Sequence, residues 1–330
     1  MEPLVSVLCL AYNHEAYIRR TLDSFLSQQT DFPFEIIIHD DASTDGTAAV
    51  IREYAERYPE IVKPILQTEN QYSKPDTPIM KTFVYPAARG KYFAMCDGDD
   101  QFTDPSKLQR QADFLEAHPE YSMVLHRARL HREGEDPSSD RLYPEDGEDR
   151  DFSAEEIAVH GAGRFATNSF MFRREICETL PDCFFISGVG DYPWLFYGVL
   201  SGKCRYLARP MCVHNEGVTG SWTVETWGDT KAHIEHEHVI MDMLRKVDAY
   251  YDGRWHDIIE KALTFRREEL AEYVFTVSVE RGDWETARSG DCRPYYLAWK
   301  KQKRRERLKA RFPFLLKIKH VLEGKGNDGR

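Results

Sequence analysis

The run Lys91-Tyr-Phe-Ala-Met-Cys-Asp97-Gly98-Asp99-Asp100 limits the fold more than any other stretch of the chain. Tyr92 to Cys96 are mostly apolar and read as a short buried strand. Polarity then inverts, with three carboxylates in four residues and a glycine after the first. A core cannot carry that much like charge, so the acids belong just past the strand's end. Each pair repels by about 1 kcal/mol or more even in water, and a positive group is expected among them. Hard oxygen ligands at a strand tip suit Mg2+ or Mn2+, which takes one or two carboxylates and completes its shell with phosphate oxygens and water. The alternative is a plain acidic turn.

The segments before this strand set its context. Leu4 to Ala11 is a continuous apolar run, suited to a sheet covered on both faces. A loop, Tyr12-Asn13-His14-Glu15, precedes Ala16 to Gln29, where Ile18, Leu22, Phe25 and Leu26 have helical spacing. Phe34 to His39 is a second strand and runs into Asp40-Asp41-Ala-Ser43-Thr44-Asp45-Gly46-Thr47. A helix over Thr47 to Arg57 and a strand over Ile61 to Leu66 follow. This β-α-β-α-β order gives a doubly wound sheet with sites at the C-terminal ends of its strands. Three polar clusters, Tyr12-Asn13, Asp40-Asp41 and Asp97-Gly98-Asp99, fall at such ends. No G-x-G-x-x-G follows the first strand and no G-x-x-x-x-G-K-[ST] occurs, which argues against a nicotinamide fold and a P-loop.

Downstream, Ile79 to Ala88 reads as a helix broken at Pro86, and Asp104 as the cap of a helix carrying Pro105 in its first turn. Met123 to Leu130 and Arg164 to Phe172 read as strands, and Cys204 to Leu207 and Met211 to His214 as two short ones. Glu133 to Asp151, dense in acids, Pro and Gly, reads as a mobile surface loop that could serve as a lid or acceptor loop. Asp191 is a natural helix N-cap ahead of Pro193. From Asp229 to Ser289 the pattern is helical throughout.

Charge is placed unevenly. The net formal charge is −11, yet between Cys292 and Leu322 there are 11 Lys and Arg against one acid, Glu306. Seven scattered cysteines without a C-x-x-C fit reduced thiols, and no run approaches a membrane span. A cytoplasmic protein, peripheral at the inner face of the plasma membrane, is the expected setting.

Taken together, the first strand with Ala11-Tyr12-Asn13, the Asp40 to Thr47 loop and Gly90-Lys-Tyr…Asp97-Gly-Asp-Asp100 resemble family 2 glycosyltransferases of the GT-A fold. The likeness continues through Pro105-Ser-Lys107-Leu-Gln-Arg-Gln111, Thr167-Asn-Ser169…Arg173, Gly190-Asp191-Tyr-Pro and Gly220-Ser-Trp222. It implies an α/β GT-A fold, a Rossmann-like mixed sheet flanked by helices. Residues 1–228 would form the transferase domain, with 1–100 its nucleotide-binding half and 101–228 its acceptor half, and 229–330 a helical extension with a basic amphipathic tail. It implies inverting transfer from a nucleotide-diphosphate sugar, a UDP-sugar favoured, to a saccharide or lipid-linked acceptor. Ala11, Tyr12 and Asn13 would line the nucleotide site; Asp41, beside Asp40, would accept the base's imide proton. Asp97, Gly98 and Asp99 match the D-x-D motif, with Asp97 near the ribose and Asp99 on Mg2+ or Mn2+. Asp191 matches the general base. Two positions depart from the pattern: Lys81-Thr82 stand where many relatives have Arg-Asn, and His214-Asn215 where many have Tyr-Arg. Lys81 is carried over as a phosphate contact, and His214 as a metal or diphosphate ligand or a structural histidine.

Inversion in one displacement asks for a cation on the leaving diphosphate, one carboxylate for the acceptor proton, and alignment of the two reactants. Each residue also has a plainer role: Asp191 as a cap, Asp41 as a turn residue, Asn168 and Ser169 satisfying a strand end instead of lining the sugar site, and Trp222 in a core instead of against a sugar ring. His233, His236 and His238 read as a solvated helix face. The basic, aromatic segment 293–320 fits an anionic lipid surface, with nucleic acid or plain solvation as rivals. Two other functions compete: a non-catalytic nucleotide-sugar or glycan-binding module, and a nucleotidyltransferase, which would need a basic triphosphate loop that Tyr12 to Glu15 does not provide.

Overall fold

The computed structural model describes residues 2–74, 77–161, 163–185, 190–218 and 229–311. Its organising strand, β1 (Val5–Ala11), is buried along its length. It lies between β2 (Phe34–Asp40) and β4 (Tyr92–Asp97), parallel to both. The register sets Ala11 beside Asp40 and Leu10 beside Asp97, so the three polar clusters leave the sheet at one level. Helix α1 (Ile18–Leu26) buries Ile18, Leu22 and Phe25, the face its spacing predicts. Helix α2 (Thr47–Arg57) and β3 (Val62–Leu66) complete the β-α-β-α-β unit. Met80–Val84 and Tyr85–Ala87 form a π turn and a 3-10 turn, the latter around Pro86.

The other strands are β5 (Gln101–Phe102), β6 (Tyr121–Arg132), β7 (Arg141–Tyr143), β8 (Arg150–Phe152), β9 (Met171–Arg173) and β10 (Lys203–Glu216). The sheet order is β3-β2-β1-β4-β9-β6-β10-β5, with β7 on β6 and β8 on β10. Strand β9 is antiparallel to both β4 and β6, and β5 to β10, which makes the sheet mixed. Helices α3 (Lys107–Ala117), α4 (Ala154–His160), α5 (Arg174–Glu178) and α6 (Asp191–Ser201) connect these strands.

Four local readings are corrected. Glu133 to Asp151 holds β7, β8 and a 3-10 turn instead of a structureless loop. Its acids are balanced locally: Asp146 takes Arg150 at 3.1 Å and Arg164 at 2.8 Å, and Arg127 grips the carbonyls of Pro144 and Glu145, each at 3.0 Å. The two short strands at 204–214 are one strand, β10, whose register on β6 shifts between Leu207 and Cys212, across Pro210. The N-cap position of the helix after Asp104 falls on Ser106, whose side chain makes no capping bond; Asp104 binds Ser106 and Arg209. Asp191 is the first residue of α6, behind Gly190, not its N-cap.

The chain divides into two compact units, 1–263 and 264–330. Helix α7 (Thr230–Tyr250) belongs to the first, packing on Asp182–Phe184. Helix α8 (His256–Arg281) crosses the division. In the second unit, α9 (Trp284–Arg288) and α10 (Arg293–Arg311) enclose Phe275, Ala287 and Cys292, flanked by Tyr295, Tyr296 and Trp299. Among the described residues no helix is long and apolar enough to cross a membrane.

At the opposite end of β1 from the clusters, Glu35 is 1% exposed and binds four donors: Ser6 Oγ at 2.8 Å, Arg89 N at 2.7 Å, and Arg89 Nε and Nη2 at 3.0 and 2.7 Å. Glu35→Ala strands these donors and is expected to cost about 2–3 kcal/mol of stability. Urea unfolding measures it, and a loss below about 0.5 kcal/mol would show the cluster to be incidental.

Candidate active site

The acid loop is held by its backbone. Gly98 N donates to Leu10 O at 2.8 Å, bringing the tips of β4 and β1 together. A Cβ on Gly98 would lie 2.7 Å from His14 Nδ1 and 3.0 Å from Ala11 Cβ, so this close approach requires glycine. The Thr21 hydroxyl lies 2.6 Å from Asp100 O and 2.9 Å from Gly98 O, and Asn215 Nδ2 donates to Asp99 O at 2.5 Å. Asp100 is turned inward: its carboxylate accepts from Asn215 N at 2.8 Å and from His214 Nδ1 at 3.0 Å. Thr21 and Asn215 fix the loop, and Asp100 anchors His214 to it. Nothing in the sequence singles out Thr21, whose neighbour becomes visible only when α1 folds over the loop.

Asp97 and Asp99 are left to face one another. Burial and the charges of Asp99 and Asp100 push the Asp97 carboxyl up to about 8, against a small opposing pull from His214. Asp99 is raised by burial and by Asp100; His14 Nε2 stands 3.9 Å from its Oδ2. Burial pulls the His214 imidazole down, but Asp100, helped by Asp99 and Asp97, carries it up to about 9. Asp191 also raises Asp97, which places the head of α6 within electrostatic reach of the strand tips. Asp191 Oδ1 accepts from Tyr192 N at 2.7 Å.

The second corner is built from the loops after β1 and β2. Asn13 and Ala42 both hold left-handed backbone, φ 55° and 61°. They are locked by mutual contacts: Asn13 Oδ1 accepts from Thr44 N at 2.8 Å, and Asn13 N donates to Ser43 Oγ at 2.9 Å. Asp40 caps this turn through Ser43. Asp41, 4% exposed, accepts from Gln71 N at 2.7 Å and Tyr72 N at 2.9 Å, and its own N–H bonds Ala11 O at 3.0 Å. Tyr12, beside it in sequence, is 41% exposed and presents its ring to solvent.

Other expected residues lie apart from this cleft. Lys81 Nζ pairs with Asp182 at 2.8 Å over the Phe185 ring, not with any of the strand-tip acids. Asn168 is fully buried and spends both ends of its amide on β10, donating to Val213 O at 2.7 Å and accepting from Cys212 Sγ at 2.8 Å. Ser169 is likewise buried, its carbonyl bound by Gln111. Asn168 thus ties the segment to β10, and the Ser169 hydroxyl is buried without a hydrogen-bond partner. His233 is buried, not on a solvated face. Trp222 lies outside the described residues.

For a divalent cation the donor set is carboxylate oxygen with imidazole nitrogen. Among the described residues no three His, Cys, Asp or Glu side chains form a ready cage. Buried carboxyls raised above their ordinary range fit a site of one or two protein ligands completed by phosphate oxygens.

The sequence model described as Glycosyl transferase family 2 matches residues 6–180, more than half of the chain. An uncharacterized protein of Mycobacterium tuberculosis, Rv1520, is 36% identical over 223 residues, covering 66% of this chain and 60% of that protein. The chain thus spans less than two thirds of the length of that relative. A fragment of S. aureus TarS solved in complex with UDP-GlcNAc matches with a TM-score of 0.55 at 17% identity, over 84% of this chain and 73% of that one. Mannosyltransferase PcManGT from Pyrobaculum calidifontis, solved with GDP-Man and Mn2+, matches with a TM-score of 0.53 at 19% identity, over 87% and 78%. At these identities the likeness concerns the fold, which is GT-A.

The raised groups make stability depend on pH. Asp97 at about 8 and His214 at about 9 keep protons that the unfolded chain gives up. The unfolded pKa values are about 3.9 and 6.5. The folded state therefore binds more protons, and stability falls as pH rises, first through Asp97 and then through His214. Melting of the chain in a chelator is expected to be lower near pH 8.5 than near pH 5, and Asp97→Asn to gain on the parent as pH rises. A difference between the two proteins that stays constant with pH would contradict this assignment.

Proposed function

The chain belongs to Glycosyl transferase family 2, and on that premise we propose that it moves a sugar, with inversion, from a nucleotide-diphosphate sugar to the hydroxyl of a saccharide or lipid-linked acceptor. The observation that carries this reading is the register that brings Asp40-Asp41 and Asp97-Gly98-Asp99 to one level of the sheet, with Asp191 at the head of α6 among the charges that act on Asp97. Two of the relatives of known structure were solved with UDP-GlcNAc and with GDP-Man, and a UDP-sugar is the favoured donor here.

In this reading the base lies against Tyr12 and gives its imide proton to Asp41, whose carboxylate keeps acceptor capacity beyond the two N–H groups it already holds. Asn13 and Asp40 fix the wall through Ser43 and Thr44, and Ala11 leaves room beside it. Asp97 reaches the ribose. Asp99 and His214 would hold Mg2+ or Mn2+, His214 through Nε2, since Nδ1 is given to Asp100. When bound, the cation offsets charge on the departing diphosphate. Asp191 takes the proton from the attacking hydroxyl. Lys81 would have to leave Asp182 to touch a phosphate.

Asp191→Asn is expected to lower transfer by about 10²–10⁴-fold while thermal stabilisation by the donor persists. A screen of UDP-, GDP- and dTDP-sugars with and without Mn2+ identifies that donor; saturation at 100 times the dissociation constant adds about 2.7 kcal/mol. Transfer undiminished in the variant would remove Asp191 as the base.

The same reading places the second unit against an anionic membrane surface, where a lipid-linked acceptor resides. Support comes from α10, where Arg293, Lys300, Lys301, Lys303 and Arg304 are exposed and Leu297 is 55% exposed. Residues 300–311 hold eight basic residues and one acid. Binding to phosphatidylglycerol vesicles is expected, with none to phosphatidylcholine alone, and each of Lys300→Glu and Lys301→Glu weakening it at least about fivefold. Equal binding to both kinds of vesicle would count against charge as the cause.

A further inference from the structure

Tyr143 reaches the site from a segment whose composition suggests a loose acidic loop. It sits in β7 opposite Ala128 of β6, and Ala128 in turn lies opposite Cys212 of β10. His214 follows Cys212 by two residues, on the same face of that strand. The ring centroids of Tyr143 and His214 are 6.3 Å apart. The position is fixed from behind, since Arg127 binds the carbonyls of the next two residues, Pro144 and Glu145.

Tyr143 is half-buried, and its hydroxyl is open and makes no hydrogen bond to any described residue. Asp100 and Asp191 are among the charges that reach it, and a phenol at neutral pH is a neutral donor. An open hydroxyl on a ring beside His214, within electrostatic reach of Asp191, is suited to a hydroxyl-bearing ligand.

We propose that Tyr143 donates a hydrogen bond to the acceptor sugar and turns its attacking hydroxyl toward Asp191. This rests on the reading of Asp191 as the base. The nucleotide is held at the other corner, by the loops after β1 and β2, so Tyr143 is assigned to the acceptor and not to the donor. Its ring adds an apolar surface for a sugar face to lie on.

The test uses the full chain, its best donor from the nucleotide-sugar screen, and two acceptors. These are water, read as donor hydrolysis, and the p-nitrophenyl pyranoside that the wild-type chain glycosylates fastest. Tyr143→Phe keeps the ring and removes the hydroxyl. It is expected to lower kcat/KM for the pyranoside about tenfold, with donor KM and donor hydrolysis within about twofold of wild type. Tyr143→Leu, checked for folding by its melting temperature, should lower it further. Donor KM rising while acceptor kinetics hold would move Tyr143 to the donor side and overturn the proposal, as would no change in either. If instead Asp191→Asn retained transfer, the assignment of the base would fail first, and the two failures are read in different variants.

Discussion

Everything at the site depends on like charge confined at the end of a buried strand. Asp97, Asp99 and Asp100 leave β4 together because β4 is pinned beside β1, residue by residue, up to Leu10. The chain relieves part of the repulsion by turning Asp100 inward against Asn215 N and His214. It does not relieve the rest: Asp97 keeps a carboxyl raised by burial, Asp99 and Asp100, and Asp99 one raised by burial and Asp100. The loop is fixed through its carbonyls, by Thr21 and Asn215, so the carboxylates stay available while the backbone is rigid.

This separation of support from chemistry recurs at the nucleotide corner. Two residues in left-handed backbone, Asn13 and Ala42, cost on the order of 1–2 kcal/mol each. They persist because Asn13, Asp40, Ser43 and Thr44 bind one another across the two loops. Asp41 joins a third segment, at Gln71 and Tyr72, to the same corner. A nucleotide would meet a wall whose conformational entropy is already spent, which is how pre-organised sites gain affinity.

The first hundred residues were legible because each level of the sequence agrees. Apolar runs, helical spacing and strand-end acids all point to one doubly wound unit, and the register brings the acids together as that topology requires. Residues 133–151 were not legible, since acids, prolines and glycines read as solvated loop. Here Arg150 and Arg164 pair with Asp146, Arg127 holds the carbonyls of Pro144 and Glu145, and two short strands form. Asn168 misled in the opposite sense: in a motif it looks like a ligand, but Cys212 and Val213, 44 and 45 residues away, consume it. Asp191 looked like a cap and proves to be the first helical residue, because Gly190 precedes it as N-cap. Pairings that decide a side chain's role over such separations leave no periodic signal.

His214 shows how far the departure from the usual pattern can be followed. An imidazole there gives one nitrogen to Asp100 and keeps the other, and the acids around it hold it protonated to about 9. A protonated ring is a donor and no ligand, so a cation at Asp99 must displace that proton to use Nε2. The same cation would lower the raised carboxyls beside it. Proton and stability are therefore coupled in one cluster: the crowded charge that makes the folded chain weaker at high pH is what a divalent ion and a diphosphate would offset in the proposed reading. An apolar replacement of the cluster would stabilise the sheet edge and remove the charge that a cation would need there, which is the trade that functional sites commonly make.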